Sequence, residues 1–220
     1  CSKGKLRAAD VRDVLVSENA DQGGLGKAFG IHKALDMAGS AAGILAAYFL
    51  LASVNGRSVD YKSFFLISMI PAVFGLIALL MVREKHADRS QRKREAFWKN
   101  AGKIGGNLKL YLLVAFLFTL GNSSNTFLLL RAKSIGYTDQ NVVLLYFVYN
   151  IMAALLSIPM GKLSDKIGRK TLLVGGYLIF SLVYLGFAFA TNAVVMAGLF
   201  VLYGLYTAMT AGVERAYIAE

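Results

Sequence analysis

The 220 residues contain one cysteine, two histidines and two prolines. A lone cysteine, Cys1, excludes an intrachain disulfide framework and a CxxC redox or metal motif. With His32 and His86 as the only histidines, no cluster has metal-ligand spacing. There is no Walker loop and no catalytic constellation, so no metal and no cofactor are expected and an enzyme has little support. The chain does not start with Met and no signal peptide opens it, so Cys1 reads as the cut end of a longer chain. Both prolines, Pro71 and Pro159, fall inside apolar runs, a placement that neighbouring helices tolerate in a membrane.

What the chain does have is oil. It is 56% hydrophobic with a mean hydropathy of +0.54. The average alone does not decide the class, because a chain of this length could bury one large soluble core. Distribution decides it. Six apolar runs, 34–54, 63–82, 110–130, 141–160, 171–190 and 192–213, are separated by the charged segments. Each holds about 20 residues, which at about 1.5 Å per residue crosses a hydrocarbon layer of about 30 Å. Asp36 is the only charged side chain within them. None has the polar stripe of a soluble helix. The fold class expected is all-α integral membrane with six transmembrane helices.

The net charge of +11 has a location. Segments 1–33, 83–109, 161–170 and 214–220 hold 20 of the 24 Lys and Arg residues, and the alternate connections hold four. Positive connectors are retained on the cytoplasmic face during insertion, which places both ends of the chain inside a cell (inner or plasma) membrane. Segment 83–109 carries Phe97 and Trp98 among its basic residues, and alone it could suggest nucleic-acid binding. Between two spans it reads instead as a linker against anionic headgroups. Membrane lipids are the expected partner, and nucleic acid is not.

Val11–Glu18 near the start and Val213–Glu220 at the end match at their terminal Val and Glu and are similar at Val16/Ile218 and Ser17/Ala219. One such period contains six spans, with the basic linker between the second and third. Internal repeats of this kind mark secondary transporters. Between the fourth and fifth runs stands Gly161-Lys162-Leu163-Ser164-Asp165-Lys166-Ile167-Gly168-Arg169-Lys170. Here the sequence resembles the major facilitator superfamily, whose signature loop reads G-x-L-(S/A)-D-(R/K)-x-G-R-(R/K), and every constrained position matches. In this loop Gly161 and Gly168 are expected to allow a tight reversal. Asp165 is expected to serve free amides at the start of the following helix, or Arg169. Arg169 and Lys170 are expected to pair with helix C-terminal carbonyls or lipid phosphates. The resemblance implies that Gly161, Asp165, Gly168, Arg169 and Lys170 form a conformational latch, broken and remade as two bundles rock.

The stretch 26–39 also looks like the family's fifth helix, so the resemblance covers the whole chain as helices five to ten of twelve. It implies an end of the N-terminal bundle over 1–84, a cytoplasmic basic linker over 85–108 and the start of the C-terminal bundle over 109–220. Gly30, Gly39 and Gly43 have the spacing of the family's antiporter motif, G-x8-G-x3-G-P-x2-G-G. Ile44 replaces its proline and Ala47-Tyr48 its final glycine pair, so assignment as a proton-driven drug antiporter loses support.

An ionisable group inside a span raises a functional question. Asp36 lies about two turns into its helix with His32 at i−4, so the pair could carry a coupling proton; the alternative is that both lie at headgroup level, Asp36 paired with Lys33 or Arg12. Asn122 and Asn125 in the third span need polar partners. Tyr203, Thr207, Thr210 and Glu214 share one face of the sixth, and Tyr146, Tyr149 and Asn150 lie on the fourth. The resemblance makes helices seven and ten cavity-lining, so Asn122, Asn125, Tyr203 and Thr207 are the candidate substrate cavity, with interhelical hydrogen bonding as the competing role. The function implied is secondary active transport of a small-molecule substrate by alternating access, coupled to an ion, the proton foremost. A transporter-like membrane sensor without transport is the alternative, and a six-helix half that dimerises is a third possibility.

Overall fold

A computed structural model of the chain describes residues 24–53, 61–81, 106–122 and 124–219, and every regular element among them is an α-helix. In chain order these are α1 (Leu25–Ser53), α2 (Tyr61–Met81), α3 (Gly106–Gly121), α4 (Asn125–Ser134), α5 (Asp139–Ile167), α6 (Arg169–Phe189) and α7 (Ala193–Ala219). Helices are what such a sequence must form in hydrocarbon, because each backbone N–H and C=O needs a partner from the same segment. Arg12, His86, Phe97, Trp98, most of the linker at 85–108 and the first copy of the repeat lie outside the described residues.

Four stretches among the described residues are long and apolar enough to cross a bilayer: Leu112–Ser134, Asp139–Ile167, Arg169–Phe189 and Ala193–Tyr217. The first two expected runs fall on α1, with 29 residues, and on α2, whose apolar part is Phe65–Ala78. The third run was expected as one rod, but α3 stops at Gly121 and α4 starts at Asn125. Asn122 and Ser124, described and non-helical, are residue types whose side chains compete with helical backbone bonding, and Ser123 lies outside the described residues.

Local chemistry sets several helix ends. Thr138 Oγ1 accepts the Asn141 amide at 3.4 Å to cap α5, and Asp139 adds negative charge to its first turn. Asn192 Oδ1 accepts the Val195 amide at 2.8 Å to cap α7. Gly168, with φ of 91°, separates α5 from α6 in a conformation that L side chains rarely adopt.

The described helices fall into two compact units, one holding α1 and α4–α7, the other α2 and α3. In the first, α1 packs on α5 and α7, and α6 packs on α7. Its interior mixes Phe29, Phe180, Phe200 and Val213 with small residues such as Ala41, Ala132, Ala153 and Ala216. Leu178, Leu182, Leu185 and Phe189 form an exposed apolar edge of α6. Small and polar side chains inside with leucines outside is the arrangement that lipid, rather than water, rewards. In the second unit every described side chain of α2 is exposed, including Phe65, Met69 and Phe74.

Candidate functional site

The signature stretch is not the loop that its glycines suggested. Residues 161–167 are the last two turns of α5, and only Gly168 breaks the helix. Gly161 therefore makes no turn. It removes a side chain where α5 crosses α1: a Cβ there would run into the Gly26 carbonyl and lie 3.2 Å from Gly30 Cα. A Cβ at Gly30 would in turn stand 2.6 Å from the Ser157 carbonyl oxygen. Gly39 and Gly43 belong by spacing to the same close-packing set, yet a Cβ added at either would meet nothing within 4 Å among the described residues.

Asp165 sits at this crossing. Of the two expected partners, Arg169 at the start of α6 lies beside its carboxylate, while the amides that it takes are those of another helix. The carboxylate accepts the amides of Gly26 and Lys27, each at 2.9 Å, at the N-terminus of α1. Those amides have no helical acceptor of their own, and the positive end of the helix dipole favours an anion. The Arg169 guanidinium lies 3.9 Å from the same carboxylate, and both side chains are largely buried. Arg169 also donates through Nη1 to the carbonyl of Ala216 at 2.7 Å, in the last turn of α7. One acid and one base thus tie the start of α1, the α5–α6 junction and the end of α7. Lys170 is exposed, as are Lys162 and Lys166.

Asp36 and His32 stand four residues apart on α1. The Asp36 carboxylate, about half exposed, receives the Lys33 ammonium at 3.2 Å, the headgroup-level partner considered above.

Of the expected cavity residues, the structure brings three together. The Tyr203 hydroxyl donates to Asn125 Oδ1 at 2.9 Å, and the Thr207 hydroxyl lies 3.3 Å from that of Tyr149. Thr207 also donates to the carbonyl of Tyr203 at 3.1 Å. Asn122 belongs to the other compact unit, at the end of α3. Around these bonds the rings of Tyr146, Tyr149 and Tyr203 stack in sequence, 5.6 and 5.1 Å between centroids. Tyr206 and Tyr184 extend the cluster toward Phe180. Sequence reasoning missed Tyr184 and Tyr206, although the spacing of Tyr203 and Tyr206 was a usable sign of a shared face. Asn150 is buried and donates to the carbonyl of Tyr146, Thr210 donates to that of Tyr206, and Glu214 receives the hydroxyl of Tyr177 at 2.9 Å. Among the described residues no cluster of His, Cys, Asp and Glu could hold a metal ion.

These helices and this buried acid–base tie describe an integral membrane protein whose packed elements are locked at one end by charge. The Major Facilitator Superfamily description matches residues 11–220, and the chain belongs to that family. It is similar to an uncharacterized MFS-type transporter of Methanocaldococcus jannaschii, with 38% identity over 215 residues. The match covers 95% of this chain and 52% of that relative, so the chain spans about half the length of the curated relative it matches. No solved structure matches it.

Proposed function

We propose that this chain is the central part of a secondary active transporter that moves a small molecule by alternating access, coupled to a proton gradient. α1 and α2 are two further crossings, giving six, and correspond to the end of one bundle over 1–84. Residues 85–108 form the cytoplasmic linker, and 109–220 begin the second bundle. Both ends face the cytoplasm across the cell membrane. The observation that carries the proposal is the capture of the Gly26 and Lys27 amides by Asp165. On this division the bond crosses from one bundle to the other. It can break without rupturing either, which suits a latch made of Gly161, Asp165, Gly168, Arg169 and Lys170.

Asn125, Tyr203 and Thr207 contribute to the cargo cavity, and Asp36 with His32 carries the coupling proton. The full-length protein in liposomes loaded with the pH dye pyranine tests both points. Cargo from a panel of small metabolites should move protons in step with its own flux, and Asp36→Asn should abolish the dye response. Binding without flux across the whole panel would sink the transport reading and favour a sensor.

A further inference from the structure

For a piece of a membrane span, α4 is poorly anchored by apolar contact. It has ten residues, of which Leu128 and Ala132 are buried, and it ends with Arg131 and Lys133. Its placement rests on polar ties at its two ends. At the first, Asn125 Oδ1 receives the Tyr203 hydroxyl from α7 at 2.9 Å. At the second, Arg131 donates through Nε to the Phe187 carbonyl at 3.1 Å, and through Nη2 to those of Ala188 and Ala190 at 3.2 and 3.1 Å. Its Nη1 reaches Ser134 Oγ at 3.2 Å. Just beyond, the Tyr137 hydroxyl donates to the Ala193 carbonyl at 2.6 Å.

The three carbonyls gripped by Arg131 belong to the end of α6, where helical geometry leaves such groups without amide partners. A guanidinium presents several donors in one rigid plane and can serve three acceptors together, which a lysine ammonium on its flexible stem does poorly. Asn125 and Arg131 are six residues apart, about 9 Å of helical rise, so fixing one end of so short a rod constrains the other. We infer that Arg131 is a positioning residue: by capping α6 it sets the register of α4 that holds Asn125 against Tyr203. Its consequence for cargo depends on Asn125 and Tyr203 lining the cavity, as proposed above, whereas the register does not.

A double-mutant cycle on the full-length protein in detergent tests this without knowledge of the cargo. Thermal unfolding midpoints are measured for the parent, Arg131→Gln, Tyr203→Phe and the double variant. Tyr203→Phe should lower the midpoint of the parent, and by less than half as much once Arg131 is replaced, because the contact it removes is already lost. Equal shifts in both backgrounds would mean that Arg131 merely caps α6 and would overturn the inference, since independent sites add. Should Arg131→Gln not fold, Arg131→Lys takes its place in the same cycle, with the same two outcomes. Cargo flux of the four proteins then separates the proposals: a coupled cycle with flux unaltered throughout supports the positioning role and removes Asn125 and Tyr203 from the cavity.

Discussion

Asp165 and Gly26 are 139 positions apart in the chain, and the carboxylate of the first lies 2.9 Å from the amide nitrogen of the second. A second amide, that of Lys27, shares the same side chain at the same distance. Hydrogen bonds to a charged acceptor contribute about 1.5–3 kcal/mol each, more than neutral ones. Asp165→Asn keeps the shape but loses the charge and one of the two acceptor oxygens. We expect it to weaken the association of α1 with α5 by about 1–3 kcal/mol, roughly a 5- to 150-fold shift in the closed-to-open ratio. Cross-linking yield between cysteines placed at Lys27 and Lys166, both exposed beside the contact, measures it in membranes. An unchanged yield would show that the bond does not hold the crossing shut.

Steric closeness is the second component of that crossing. Any side chain at Gly161 meets the backbone of Gly26, and backbone cannot swing aside as a side-chain tip can. Gly161→Val should therefore push α1 off α5, at a cost of about 1–3 kcal/mol typical of overpacking. The same cross-link should fall at least as far as in Asp165→Asn. Gly39→Val on α1 meets no neighbour among the described residues and serves as the control.

How much of this was legible beforehand varies with the range of the interaction. Apolar runs of about 20 residues announced the helices, because hydrocarbon leaves the backbone few alternatives. The residue types of 161–170 announced a charged junction. They did not disclose its partner, since nothing local in Lys162–Lys166 indicates that an amide from residue 26 will arrive. Gly161 was mistaken for a turn because a glycine that allows close approach and one that allows reversal look alike in one sequence; only Gly168 has the positive φ. The end of α3 falls just before Asn122, one of the residues read as a polar patch within the third span. Arg131 escaped notice because a cation flanking a span normally indicates a water-facing end, whereas here it closes the end of another helix.

Tyr177 and Glu214 allow a third test. The carboxylate of Glu214 is half-buried in α7 and takes the Tyr177 hydroxyl from α6 at 2.9 Å. Tyr177→Phe removes the donor and leaves the acceptor in place, an asymmetric loss of about 1–3 kcal/mol. The unfolding midpoint should drop. Adding Glu214→Gln to that background should recover part of the drop, because a neutral amide is less costly than a carboxylate to leave half-buried without its donor. If the second substitution lowers the midpoint further, Glu214 is held by something other than this bond.

Asp36 gives the sharpest functional prediction, because its contact and its proposed role pull apart. A carboxylate bonded to Lys33 and about half exposed gains little from the pairing, roughly 0–1 kcal/mol at a surface. Asp36→Asn should therefore leave the unfolding midpoint within about 0.5 kcal/mol of the parent, as is usual for surface substitutions. If Asp36 carries the coupling proton, the same variant should lose accumulation of cargo against its gradient under an imposed pH difference. Exchange of cargo between two equal pools requires no net proton movement and should survive. Loss of both activities with an intact fold would assign Asp36 to cargo binding, and retention of both would leave Lys33 as its only demonstrated purpose. A drop in stability together with both losses would make the Lys33 pair structural. The charge, not the shape, is what the test isolates, since aspartate and asparagine differ in little else.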